Sequence, residues 1–89
     1  MQSINICDDC DGKIITLYIQ SLDKVKIRYR MKELQHFRDL FDDYCTKQMV
    51  CQNQMRFKYN NEEIDSTCSP FLLDMKNGAI IHSLLRHRM

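Results

Sequence analysis

The sequence predicts an α+β fold, a mixed sheet of four to five strands packed on one central helix. Two observations carry this. Residues 34–47, LQHFRDLFDDYCTK, set apolar side chains at Leu34, Phe37, Leu40, Phe41, Tyr44 and Cys45. Steps of three and four lay these along one helix face. The segments on both sides alternate with period two instead, the pattern of half-buried strands. A helix of this length is marginal alone in water, so the strands must cover its stripe.

In chain order, Met1–Gly12 is polar and without a helical stripe, and reads as a mobile tail ahead of a domain over residues 13–89. Lys13–Gln20 points Ile15, Leu17 and Ile19 one way and Thr16, Tyr18 and Gln20 the other. After a polar turn at Ser21–Lys24, Val25–Lys32 alternates again, with Val25, Ile27, Tyr29 and Met31 opposed to Lys26, Arg28, Arg30 and Lys32. Two such strands with a short connection predict an antiparallel hairpin. The row of positive charge suits an edge strand guarded against stray pairing. On the helix, Gln35, Arg38, Asp39, Asp42, Asp43 and Lys47 take the polar face. Its opposite-charge pairs, Arg38–Asp42 and Asp43–Lys47, are worth only ~0.3 kcal/mol each. Gln48–Gln54 is an irregular connector, and Met55–Tyr59 alternates as a third strand. Asn60-Asn61 is a turn, because Asn tolerates positive φ. Glu62–Ile64 is a short fourth strand at most. Pro70 opens one helical turn through Phe71, Leu72 and Leu73. A turn at Lys76-Asn77-Gly78 leads into the apolar run Ala79–Leu85, a central strand, and Arg86–Met89 is a basic tail.

Eighty-nine residues, 44% of them apolar, with a formal charge of +1, bound one small soluble domain. No excess of positive charge is available to gather phosphates, so nucleic acid is a disfavoured partner; only the row Lys26, Arg28, Arg30 and Lys32 speaks for it. No apolar run approaches the ~20 residues of a membrane span, and the N-terminus has no signal-peptide core. A nuclear or cytoplasmic protein with reduced cysteines is expected. Cys7 and Cys10 form a CxxC pair, but Cys45, Cys51, Cys68, His82 and His87 are scattered, so no metal is expected. Asp9, Asp11 and Gly12 imitate part of a calcium loop, in a frame that puts Cys7 at the first ligand and Tyr18 where a bidentate Glu belongs. No nucleophile, acid–base pair or phosphate loop stands out, and His36, His82 and His87 have no evident carboxylate or Cys partner. Neither an enzyme nor a cofactor is expected.

The order strand, strand, helix, strand, short strand, strand is that of the ubiquitin-like β-grasp, whose first and last strands lie side by side at the sheet centre. Within it, Asp43-Tyr44-Cys45-Thr46-Lys47-Gln48, Met55-Arg56-Phe57, Ser69-Pro70 and Leu73-Asp74-Met75 resemble SUMO. SUMO proteins carry a Tyr-Cys-x-x-Gln helix end, an Arg-Phe opening to the third strand, and a Thr-Pro-x-x-Leu-x-Met segment before the last. The resemblance runs from about Ile14 to Leu85. It implies a monomeric, non-covalent protein-binding module of the SUMO pathway. Its partners would be proteins with short hydrophobic SUMO-interacting motifs flanked by acidic residues, taken as an added strand between the second strand and the helix. The groove residues so implied are Tyr29, Arg30, Met31, Lys32, His36, Phe37, Leu40 and Lys47. Tyr29, Met31, Phe37 and Leu40 also have a plain core role, whereas Arg30 and Lys32 are charges that a core does not need. The resemblance further implies a face for the SUMO-conjugating enzyme at Asn60, Asn61, Glu62 and Gly78.

The departures from SUMO are specific. Leu34 and Gln35 stand where SUMO has Thr, which removes the usual helix cap at a cost of ~1 kcal/mol. Met49 replaces the Gly that follows the helix. Asp39 stands where SUMO tends to have Lys, and Ala79 replaces an acidic residue. SUMO matures to a diglycine, and this chain ends Arg86-His87-Arg88-Met89. A relative that is not conjugated is therefore expected; the alternative is a conjugatable SUMO whose diglycine lies beyond Met89.

Overall fold

A computed structural model describes residues 4–5 and 12–85. The elements are β1 Ile4–Asn5, β2 Ile14–Gln20, β3 Lys26–Lys32, α1 Phe37–Lys47, a 3₁₀ turn at Gln52–Gln54, β4 Met55–Tyr59, β5 Glu62–Glu63 and β6 Ala79–Leu85. The strands form one mixed sheet in the order β1-β3-β2-β6-β4-β5, and α1 packs on one face. This is the α+β β-grasp that the sequence predicts. β2 and β3 make the antiparallel hairpin, from Ile14↔Lys32 to Gln20↔Lys26. β2 and β6 run parallel at the centre, from Leu17↔Ala79 to Gln20↔His82.

Alternation sorts the side chains. Ile15, Leu17, Ile19, Tyr29, Met31, Phe57 and Ile81 are buried from the sheet against Phe37, Leu40, Phe41, Tyr44 and Cys45 from the helix. The Phe41 ring lies parallel to both Phe37 and Phe57, at centroid distances of 5.4 and 3.8 Å. Tyr44 meets Phe57 edge-on at 5.8 Å. Its hydroxyl lies 2.9 Å from Ser83 Oγ, which is itself 3.4 Å from the Gln20 carbonyl, so the buried phenol is satisfied at the central strands.

The helix starts later than its stripe suggests. The Gln35 N–H donates to the Lys32 carbonyl at 3.1 Å, a turn that delays the helical phase to Phe37. Leu34 is consequently exposed and Gln35 buried, the reverse of the expected faces. The missing side-chain cap is replaced from a distance. The Phe37 N–H donates to the Cys68 carbonyl at 2.9 Å, and the Arg38 N–H to that of Ser66 at 3.0 Å. Two of the donors that a helix start leaves open are thereby satisfied by a loop.

At the other end, the Met49 N–H donates to the Thr46 carbonyl at 3.1 Å and the Val50 N–H to that of Cys45 at 3.0 Å. This is a Schellman closure, and it needs a left-handed residue at Met49, where φ is 60°. The Met49 side chain is 92% exposed, so packing returns little for that conformation. Met49→Gly is expected to stabilise the fold by ~1 kcal/mol and to raise the melting temperature by ~4–8 °C in a circular dichroism melt. Met49→Ala, which keeps the backbone penalty, should move it little.

Asn60 and Asn61, at φ 52° and 67°, form the expected two-residue turn between β4 and β5. The segment after Pro70 differs from expectation. It is a run of three-residue turns, Leu72 to Ser69, Leu73 to Pro70 and Asp74 to Phe71, stopped by Asp74 at φ 52° before a helix is established.

The N-terminal segment differs most. Ile4–Asn5, expected within a mobile tail, pair in parallel with β3, Ile4 level with Tyr29 and Asn5 with Arg30. β3 is therefore not the edge strand. Its outer row of N–H and C=O groups is a template for any extended chain, and Ile4 adds an apolar side chain that packs at the margin of the core. The CxxC cysteines Cys7 and Cys10, the acids Asp9 and Asp11, and the basic end with His87 lie outside the described residues.

Candidate peptide-binding edge

β3 divides its side chains between two environments. Tyr29 and Met31 point inward and are 0% exposed, as are Phe37 and Leu40 of α1. These four of the implied groove residues belong to the closed core beneath the β3–α1 margin. Arg30, His36 and Lys47 are exposed and Lys32 is half-buried, so the other four lie where solvent reaches. Strand and helix are tied together by Asp43. Its Oδ2 accepts from the Tyr29 hydroxyl at 2.9 Å and from Lys47 Nζ at 2.7 Å. Burial, then the carboxylate of Asp43, holds the Tyr29 proton on far above the usual phenol range. At the corner, the Lys32 N–H donates to Gln35 Oε1 at 3.3 Å, and Gln35 Nε2 donates to Asp39 Oδ2 at 3.1 Å.

Sequence reasoning missed three of these contributors. Asp43 reads as half of a surface ion pair, Gln35 as polar helix surface, and Ile4 as tail. Only Ile4 carries a signal that could have been used, its i,i+2 spacing to Ile6.

The opposite, helix-free face of the sheet is basic. The hairpin register sets Arg30, Arg28 and Lys26 across from Thr16, Tyr18 and Gln20, with Lys26 Nζ 6.0 Å from the Tyr18 ring centroid. β4 adds Arg56 and Lys58, across from Leu84 and His82 of β6. Arg56 meets Glu63 of β5 at 3.4 Å. Among the described residues no group of His, Cys, Asp or Glu could hold a metal ion, and no helix is long and apolar enough to cross a membrane.

Residues 15–85 match the family model described as ubiquitin-2 like Rad60 SUMO-like. The chain belongs to this family. The match runs from the second residue of β2 to the last of β6 and includes the whole β3–α1 margin. β1 lies outside it.

In this Rad60 SUMO-like chain, the residues implied for a conjugating enzyme share one end of the sheet. The antiparallel register of β4 on β6, from Met55↔Leu85 to Lys58↔His82, brings the Asn60-Asn61 turn after β4 to the end of the sheet where β6 begins. Gly78 directly precedes β6, and its N–H donates to the Thr16 carbonyl at 2.8 Å. Glu62 opens β5 beside Tyr59.

Proposed function

We propose that this Rad60 SUMO-like chain is a non-covalent protein-binding module of the SUMO pathway, working in the nucleus or cytoplasm without catalysis of its own. Its binding site is the β3 edge beside α1, and its ligand is an extended peptide with a Val/Ile-rich core and acidic flanks. One observation carries the reading: the outer side of β3 takes a paired strand, Ile4–Asn5, with an isoleucine against the core margin. Backbone pairing supplies affinity and the apolar side chain supplies selection. Arg30 and Lys32 attract the acidic flank. Exposed charge pairs give at most ~1 kcal/mol each and weaken with salt, so the strand carries most of the binding.

The test is a titration of the labelled protein with such a synthetic peptide, followed by amide chemical shifts. Shifts are expected over residues 25–40. Arg30→Glu combined with Lys32→Glu should weaken binding several-fold at low salt and less at high salt. Shifts confined to residues 58–63, or no binding at all, would sink the reading.

A further inference from the structure

The margin proposed to receive a partner is already paired. Ile4 lies level with Tyr29 and Asn5 with Arg30, in parallel, and the half-buried Ile4 side chain packs on the same core margin that an incoming apolar residue would need. A parallel neighbour puts the side chain of Ile4 on the same side of the sheet as that of Tyr29, the helix side. Ile4–Asn5 thus makes both of the contacts by which a peptide would be recognised there.

The number of residues between β1 and β2 is sufficient to make the connection. Asn5 ends level with Arg30, and β2 begins at Ile14, level with Lys32. Two strand spacings and two residues along the strand separate those points, about 12 Å. Residues 6–13 can span roughly 25 Å. The sequence also fits the part: Ile4 and Ile6 are spaced i,i+2, with Asp8, Asp9 and Asp11 after them, an apolar pair followed by acids. The chain therefore carries, ahead of its own domain, a segment with the composition proposed for its ligand.

We infer that Ile4–Asn5 is the resident occupant of the β3 edge, and that a partner peptide binds by displacing it, in the same parallel direction and with a β-branched residue in the place of Ile4. This rests on the reading of the β3 edge as the docking site. A tethered segment acts at an effective concentration in the millimolar range, without the entropic cost of bringing a second molecule. Two paired residues are at the same time few enough to be displaced. An edge occupied nine-tenths of the time weakens every competing peptide about ten-fold, because only the open fraction binds.

The experiment uses the full chain and two readouts. The variant Ile4→Asp puts a charge where an apolar side chain packs, and Ile4→Val is its conservative control. The probe is a synthetic peptide of residues 1–12 with both cysteines changed to Ser. Without peptide, the β3 amides should exchange with solvent faster in Ile4→Asp than in the unchanged chain, while those of α1 keep their rates. With peptide, Ile4→Asp should bind about ten-fold tighter than the unchanged chain, and Ile4→Val should match the unchanged chain. Unaltered β3 exchange in Ile4→Asp overturns the resident strand, even where peptide binding keeps the docking reading alive. Faster exchange with no peptide bound by either chain overturns the docking reading, and displacement with it.

Discussion

Phe57→Ala is expected to cost about 3–5 kcal/mol, a large share of the ~5–15 kcal/mol that holds a small domain together. Phe57 is 3% exposed and comes from β4, yet its ring lies against Phe41 and Tyr44 of α1. It helps to join the far half of the sheet to the helix, with Met55 and Ile64 in the same core. Truncation removes the buried area and leaves a cavity bounded by parallel and edge-on rings that cannot collapse into it together. Phe57→Leu keeps most of the volume but neither ring contact, and should lose clearly less. Urea unfolding followed by circular dichroism separates the variants. A loss below ~1.5 kcal/mol for Phe57→Ala would mean that β4 is held mainly by its backbone pairing with β6.

The second large effect is expected in alkali. Burial, followed by the nearby charge of Asp42 and by Cys51, pushes the Cys45 thiol up to about 11 from its ordinary 9.0. Burial and Asp43 push Tyr29 up from 10.0 in the same direction. Both groups hold their protons in the folded chain at a pH where the unfolded chain has lost them. The stability they contribute is fully present below pH 9 and is lost as pH rises, from about 9 for Cys45 and from about 10 for Tyr29. Stability falls with pH within each window, and between about pH 10 and 11 both groups contribute to the fall. The urea midpoint should be level from pH 7 to 9 and then fall steeply. Cys45→Ala should delay the fall, Tyr29→Phe should reduce its slope above pH 10, and the double variant should do both. An identical pH profile in all four proteins would refute the assignment to these groups.

The long elements were legible in the sequence because each shows a sustained pattern. β2, β3 and β4 need only alternation, β6 only its dense apolar run, and α1 only its stripe from Phe37 to Cys45. The helix start was not legible. Its first two N–H groups are satisfied by carbonyls of Ser66 and Cys68, some thirty residues away, and no local residue type encodes that. β1 escaped for a different reason: a two-residue strand is too short to show a period. At the candidate edge, alternation alone put Arg30 and Lys32 outside and Tyr29 and Met31 inside. It could not reveal that Tyr29 spends its hydroxyl on Asp43, because that bond depends on how the helix is turned over the strand. Met49 is a partial case: the missing glycine was visible, whereas the left-handed backbone kept without it was not.

The basic sheet face has a consequence for how the molecule meets others. Lys26, Arg28, Arg30, Lys32, Arg56 and Lys58 share that face, while the chain as a whole carries only +1. Glu63 of β5 lies among these charges, and further acids, Asp39, Asp42 and Asp43, lie on α1. Separated charges of opposite sign make an electric dipole, and a dipole feels torque even where net charge gives almost no pull. In dilute salt the domain therefore turns its sheet toward an anionic surface before it touches. At physiological ionic strength the field fades within ~8 Å, and that orientation acts only in the final approach.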